Sequence, residues 1–135
     1  MSANSIVRLA QSIGYPDKVP ASASSFTLKV DGFEIVARAE AGRLVLVYRL
    51  GVFGDEGLLR LAGYAAGRIL REEATLAWEP SDGSLILWQG APSDAGAVAL
   101  RSLFEDFTHA CDWWRDRVSD IEAPPAAFPE VMIRP

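Results

Sequence analysis

Histidine and cysteine each occur once in this chain, as His109 and Cys111, and lysine only twice, as Lys18 and Lys29. A lone cysteine cannot close an internal disulfide, so packing alone must hold the fold and a reducing cytoplasm is the expected home. With a single histidine, every histidine-based metal site and every Ser-His or Cys-His mechanism rests on His109. Basic residues are also in the minority, 13 against 18 acidic, for a net charge of −5. That balance repels phosphate backbones and excludes nucleic acid as an expected partner. No uncharged apolar run approaches the roughly 18 to 20 residues of a membrane helix, and the N-terminus shows no charged segment followed by an apolar export signal. A soluble protein with no membrane partner is expected.

What the chain has in quantity is hydrophobic residues, 50% of 135. That suffices for one domain burying about 68% of its unfolded surface. Ile6, Leu9, Ala10 and Ile13 recur at helical spacing, with Asn4 or Ser2 as cap and Gly14 and Pro16 as terminators. After a loop the period changes to two. Asp31-Gly32 is a strong hairpin signal, because a type I′ turn needs positive φ at both central positions. It sets Val30 opposite Phe33 and Leu28 opposite Ile35. A second turn at Ala41-Gly42 sets Ala37 opposite Leu46 and Ile35 opposite Tyr48. The two turns agree on a three-stranded meander whose buried face carries Phe26, Leu28, Ile35, Leu44, Leu46 and Tyr48. The same register gathers Val36, Val45 and Val47 on the other face, where valines need a cover: a helix of this chain or a partner.

Asp55 starts a second helix, rich in small residues, through Leu58, Leu61, Ala65 and Ile69. Next comes a hairpin turning at Ser81-Asp82-Gly83, with Trp78 and Trp88 among large apolar groups on both of its faces. A long helix follows, from about Ala97 to Val118. On it Leu100, Leu103, Phe104, Phe107, Ala110, Cys111, Trp114 and Val118 share one stripe, Trp113 sits at its edge, and His109 points about 160° away from Cys111. Cys111 is therefore expected to be a buried small hydrophobe and His109 a surface residue. Four prolines between residues 121 and 135 make the last segment a tail. The expected organisation is one α+β domain over residues 1–121, in the order α-β-β-β-α-β-β-α with a twisted antiparallel sheet flanked by helices, and a Pro-rich tail over 122–135.

No motif for catalysis emerges. Gly51, Gly54 and Gly57 fall between a strand and a helix but lack both the dinucleotide and the Gly-Lys-Ser/Thr order, and Asp55 and Glu56 would oppose a phosphate there. Gly63-Tyr-Ala-Ala-Gly67 matches a membrane dimer signal, which Arg60, Arg68 and Arg71 exclude. The acidic pairs Glu72-Glu73 and Glu105-Asp106 read as solvated helix faces. An enzyme acting through acidic residues with Tyr48 or Tyr64 is the weakest reading, and no catalytic, metal or cofactor site is expected.

The meander VDGFEIVARAEAGRLVLVYRLG, the strand LILWQG and the final helix LFEDFTHACDWW together resemble the class I type III secretion chaperones, over roughly residues 4–119. The stretch LAGYAAGRIL departs from that pattern in being richer in alanine and glycine. The resemblance implies a cytoplasmic bacterial homodimer, without cofactor or activity, that binds the N-terminal segment of a secreted effector in extended form and keeps it competent for secretion. Its partners would be the effector, a second copy of itself and the ATPase of the secretion apparatus. Effector binding would fall on Ile6, Leu9 and Ile13 and on Val36, Val45 and Val47. The dimer interface would fall on Leu61, Ala65, Ile69, Trp78 and Trp88. The alternative is a non-enzymatic regulatory or binding domain of similar α+β shape that serves no export system.

Overall fold

The computed structural model describes residues 4–15, 19, 20, 22, 24–68 and 73–122. Ile69 and nearly all of the expected tail lie outside these residues. The described residues form α1 (Ser5–Ser12), β1 (Ser25–Val30), β2 (Phe33–Glu40), β3 (Arg43–Gly51), α2 (Asp55–Arg68), β4 (Thr75–Glu79), β5 (Ser84–Pro92) and α3 (Ala97–Glu122). This is the expected α+β order.

Each boundary has a local cause. Asn4 caps α1, its Oδ1 accepting from the Ile6 amide at 2.7 Å, which satisfies one of the free amides of the first turn. The β1–β2 turn has Asp31 at φ 52° and Gly32 at φ 82°, and the β2–β3 turn has Ala41 at φ 48° and Gly42 at φ 77°. Both are primed turns, whose twist suits antiparallel strands. Pairing follows as read: Val30 with Phe33, Leu28 with Ile35, Ala37 with Leu46, Ile35 with Tyr48. Alanine is a poor occupant of the left-handed region, where a Cβ costs roughly 1–2 kcal/mol. Ala41→Asn, which tolerates that conformation, is expected to raise unfolding stability by about 1 kcal/mol, measured as the midpoint of chemical denaturation.

All five strands join one antiparallel sheet in the order β1-β2-β3-β5-β4. The later hairpin docks through β5 onto β3, with a register shift between Arg49 and Gly51. Strand alternation then divides the sheet into two faces. One face supplies Leu28, Phe33, Ile35, Ala37, Leu44, Leu46, Leu85 and Leu87 to a single core, which Ile6, Leu9 and Ala10 of α1, Leu61 of α2 and the stripe of α3 complete. No side chain of the opposite face belongs to that core or packs against it among the described residues. The helices are thus on one side, and the sheet's other side is an outer wall.

The closing helix behaves as its spacing predicts. Leu100, Phe107 and Cys111 are fully buried, Trp114 nearly so, and His109 is exposed. It runs four residues beyond the expected Val118, to Glu122. The extension packs: a Cβ added to Gly57 at the start of α2 would lie 3.3 Å from Ile121, so the missing side chain lets the two helices approach closely. Trp113, at the stripe's edge, is held between helices. Arg68 of α2 lies 4.2 Å and Arg117 4.4 Å from its ring centre, and the Tyr64 ring meets it edge-on at 6.1 Å. Such cation–π contacts contribute about 0.5–2 kcal/mol each. Trp113 therefore joins α2 to α3.

Candidate functional site

The outer wall is built by register. Thr27, Val36, Val47, Trp88 and Thr75 form one row across all five strands. On one side of it lie Arg38, Val45 and Gly90, and on the other Arg49, Ile86 and Ala77. Val36, Val45, Ile86 and Trp88 are half-buried. Val47 is only 7% exposed although it is no part of the core. It is closed in by its own row. Branched side chains and an indole laid out at strand spacing offer pockets for alternate side chains of an extended peptide, each aliphatic group so buried contributing about 1.5–3 kcal/mol.

The rim is polar. A depression of about 460 Å³ runs from Val36, Val47 and Ile86 to Glu34, Arg38, Arg49, Glu79 and the β4–β5 turn. Arg49 meets Asp82 at 3.5 Å, with both side chains about half exposed, so the pair adds little stability. The nearby Ser84 hydroxyl, although it makes no hydrogen bond, and the Ser84 backbone amide, which donates to Asp82 Oδ1 at 2.9 Å, hold the Asp82 carboxyl below the usual carboxylate range, with Arg49 assisting. Asp82 stays charged through the physiological range and shapes the turn.

The residues expected at the site separate into two groups. Val36, Val45 and Val47 come together as predicted, and Trp88 and Ile86 join them. The sequence signal for that addition was a hairpin apolar on both faces, but only the β3–β5 pairing shows which face continues the valines. For Ile6 and Leu9 the structure corrects the expectation, because both are fully buried beneath α3 and the sheet. An apolar stripe shows that a helix is covered, and here this chain covers it. Ile13 remains half-buried beside a cleft with Arg101 and Phe104.

The expected dimer set also divides. Leu61 is fully buried in the chain's own core, and Ala65 is half-buried against it. Trp78 pairs with Leu85 and Trp88 with Thr75, so the two indoles stand on opposite faces of the sheet and cannot share one flat interface. Trp78 is 55% exposed and Leu59 on α2 is 74% exposed.

Tyr48 stacks edge-on against Phe33 at 5.3 Å, and burial followed by the neighbouring Cys111 raises its pKa, with Arg115 opposing. A phenol so held is a poor base at neutral pH. Among the described residues no group of three His, Cys, Asp or Glu could hold a metal, and no helix is long and apolar enough to cross a membrane.

No protein-family model matches the chain, and no curated protein matches it. Solved structures do. A chain of the HopA1–SchA chaperone–effector complex superposes with a TM-score of 0.64 at 17% identity, over 82% of this chain and 89% of that one. The ExoU–SpcU heterodimer of the Pseudomonas aeruginosa type III secretion system gives 0.60 at 22% identity, over 82% and 93%. The Yersinia pestis type III secretion chaperone SycH, solved with a fragment of YscM2, gives 0.56 at 17%, over 84% and 97%. The fold is that of the class I type III secretion chaperones.

Proposed function

We propose that this protein is a secretion chaperone that holds the N-terminal segment of a cognate effector in extended form and keeps it competent for export from the bacterial cytoplasm. One observation carries the reading: a sheet face bearing Val36, Val45, Val47, Ile86 and Trp88 that none of the described helices covers, in a fold shared with a solved chaperone–effector complex. The activity is binding, with no cofactor and no reaction, and hand-over to the secretion ATPase completes the role. Co-expression with the protein encoded by the adjacent reading frame, followed by pull-down and mass measurement, tests it. A stable complex engaging that partner's N-terminal segment supports the reading; failure to retain any neighbouring product counts against it.

The homodimer is part of this proposal. Leu59 and Trp78 are the large apolar groups left exposed on α2 and on the sheet edge at β4, and an exposed edge strand is itself a pairing surface. A twofold contact there would cover both. Leu59→Asp is expected to halve the mass seen by light scattering at micromolar concentration without altering the circular dichroism spectrum. An unchanged mass would place the interface elsewhere.

A further inference from the structure

The outer wall is not uniformly charged along its length. Alternation puts Arg43, Val45, Val47 and Arg49 of β3 on it, with Arg38 opposite Val45 and Glu40 opposite Arg43. At the end nearest the β2–β3 turn, two arginines therefore flank Val45 with one acid, Glu40, beside them. Arg38 is half-buried. Arg43 lies over Gly90, where an added Cβ would stand 3.1 Å from its Nη2 and 3.5 Å from its Nε. The missing side chain is what lets that guanidinium rest against the sheet. Neither arginine has an ion pair or a side-chain hydrogen bond among the described residues. The other end differs in sign: Lys29 and Arg49 face Glu34, Glu79 and Asp82, and Arg49 is already paired with Asp82.

A segment laid over Val36, Val45 and Val47 takes water from the unpaired guanidiniums next to them. Burying a charge without a partner is strongly unfavourable, whereas a carboxylate meeting an arginine makes a short, charge-assisted pair. At the far end Asp82 is met by Arg49 and Glu79 accepts from Ser81, so among the described residues the one cation there with an acid in reach is already paired. We propose that the outer wall selects extended segments with an acidic residue at one end of an aliphatic run and binds them in one direction, the carboxylate over Arg38 and Arg43 and the aliphatic side chains over Val36, Val47 and Trp88. This rests on the reading of the wall as a segment-binding surface.

Three fluorescein-labelled peptides of alternating valine and serine test it, about twelve residues and roughly 40 Å long when extended. One ends in a pair of glutamates, one in glutamines and one in lysines. Fluorescence anisotropy at low ionic strength is expected to give about tenfold tighter binding for the glutamate probe than for the glutamine probe, and weaker binding for the lysine probe. In the double variant Arg38→Gln with Arg43→Gln the three affinities should converge on that of the glutamine probe. Equal affinities on the unaltered protein, or a preference that survives the double variant, overturn the charge selection. If all probes bind equally and Val36→Asp with Val45→Asp abolishes binding, the charge selection fails and the wall as a binding surface stands. If no probe binds, the surface reading fails too; a dimer that the same valine substitutions separate would then assign the wall to a second copy.

Discussion

Replacing Val36 and Val45 together with aspartate is expected to weaken capture of a partner segment by about 100-fold or more while the protein stays folded. The two valines are half-buried on the outer wall and contribute nothing to the core. Their loss removes apolar contact of about 1.5 kcal/mol or more each and leaves carboxylates facing a covered surface, and every 1.4 kcal/mol is tenfold in affinity. The fold should tolerate the change. Position 45 is opposite Arg38, an opposite-charge cross-strand neighbour for the new carboxylate, and position 36 borders Thr27. Val47 is the wrong choice for this test, because at 7% exposure a charge there would strain the sheet itself. Pull-down or anisotropy for binding, with thermal unfolding alongside, checks the outcome. Undiminished capture by a folded double variant would remove the wall from the mechanism.

The second large effect concerns stability. Phe107→Ala is expected to destabilise the domain by about 3–5 kcal/mol, since its ring is fully buried at the centre of the α3 stripe and truncation leaves a cavity in addition to the lost transfer energy. Against a typical total of about 5–15 kcal/mol, that brings the protein near its unfolding threshold. His109→Ala, two residues along the same helix, should change stability by no more than about 0.5 kcal/mol because the side chain is exposed. Urea titrations of both variants decide the matter. Similar midpoints for the two would contradict the packing of α3 described above.

Local rules made much of this legible beforehand. Two turns that each demand positive φ set the register of three strands, and that register alone placed Val36, Val45 and Val47 together. The α3 stripe followed from the helical period, as did the roles of Cys111 and His109. What depended on how distant segments meet was not legible. Ile6 and Leu9 show an apolar stripe, yet nothing local distinguishes a stripe covered by α3 from one awaiting a partner. Leu61 was open to the same ambiguity. Trp78 and Trp88 were readable as facing opposite ways, but which of them extends the valine face required the pairing of β5 with β3. Trp113 owes its place to Arg68, forty-five positions earlier in the chain, and no periodicity reports such a contact.

The insertion of β5 between β3 and β4 also has a kinetic meaning. Val47 and Trp88 share a row only after the chain between them, α2 included, has closed a loop of about forty residues, and long closures of this kind are slow relative to hairpins. During synthesis the meander can therefore form first, with its valines incompletely bordered. On the proposed function, the binding face is complete only once the second hairpin docks. A chain ending before β5 would present the valines without Ile86 and Trp88 beside them, so the same docking that completes the sheet completes the wall.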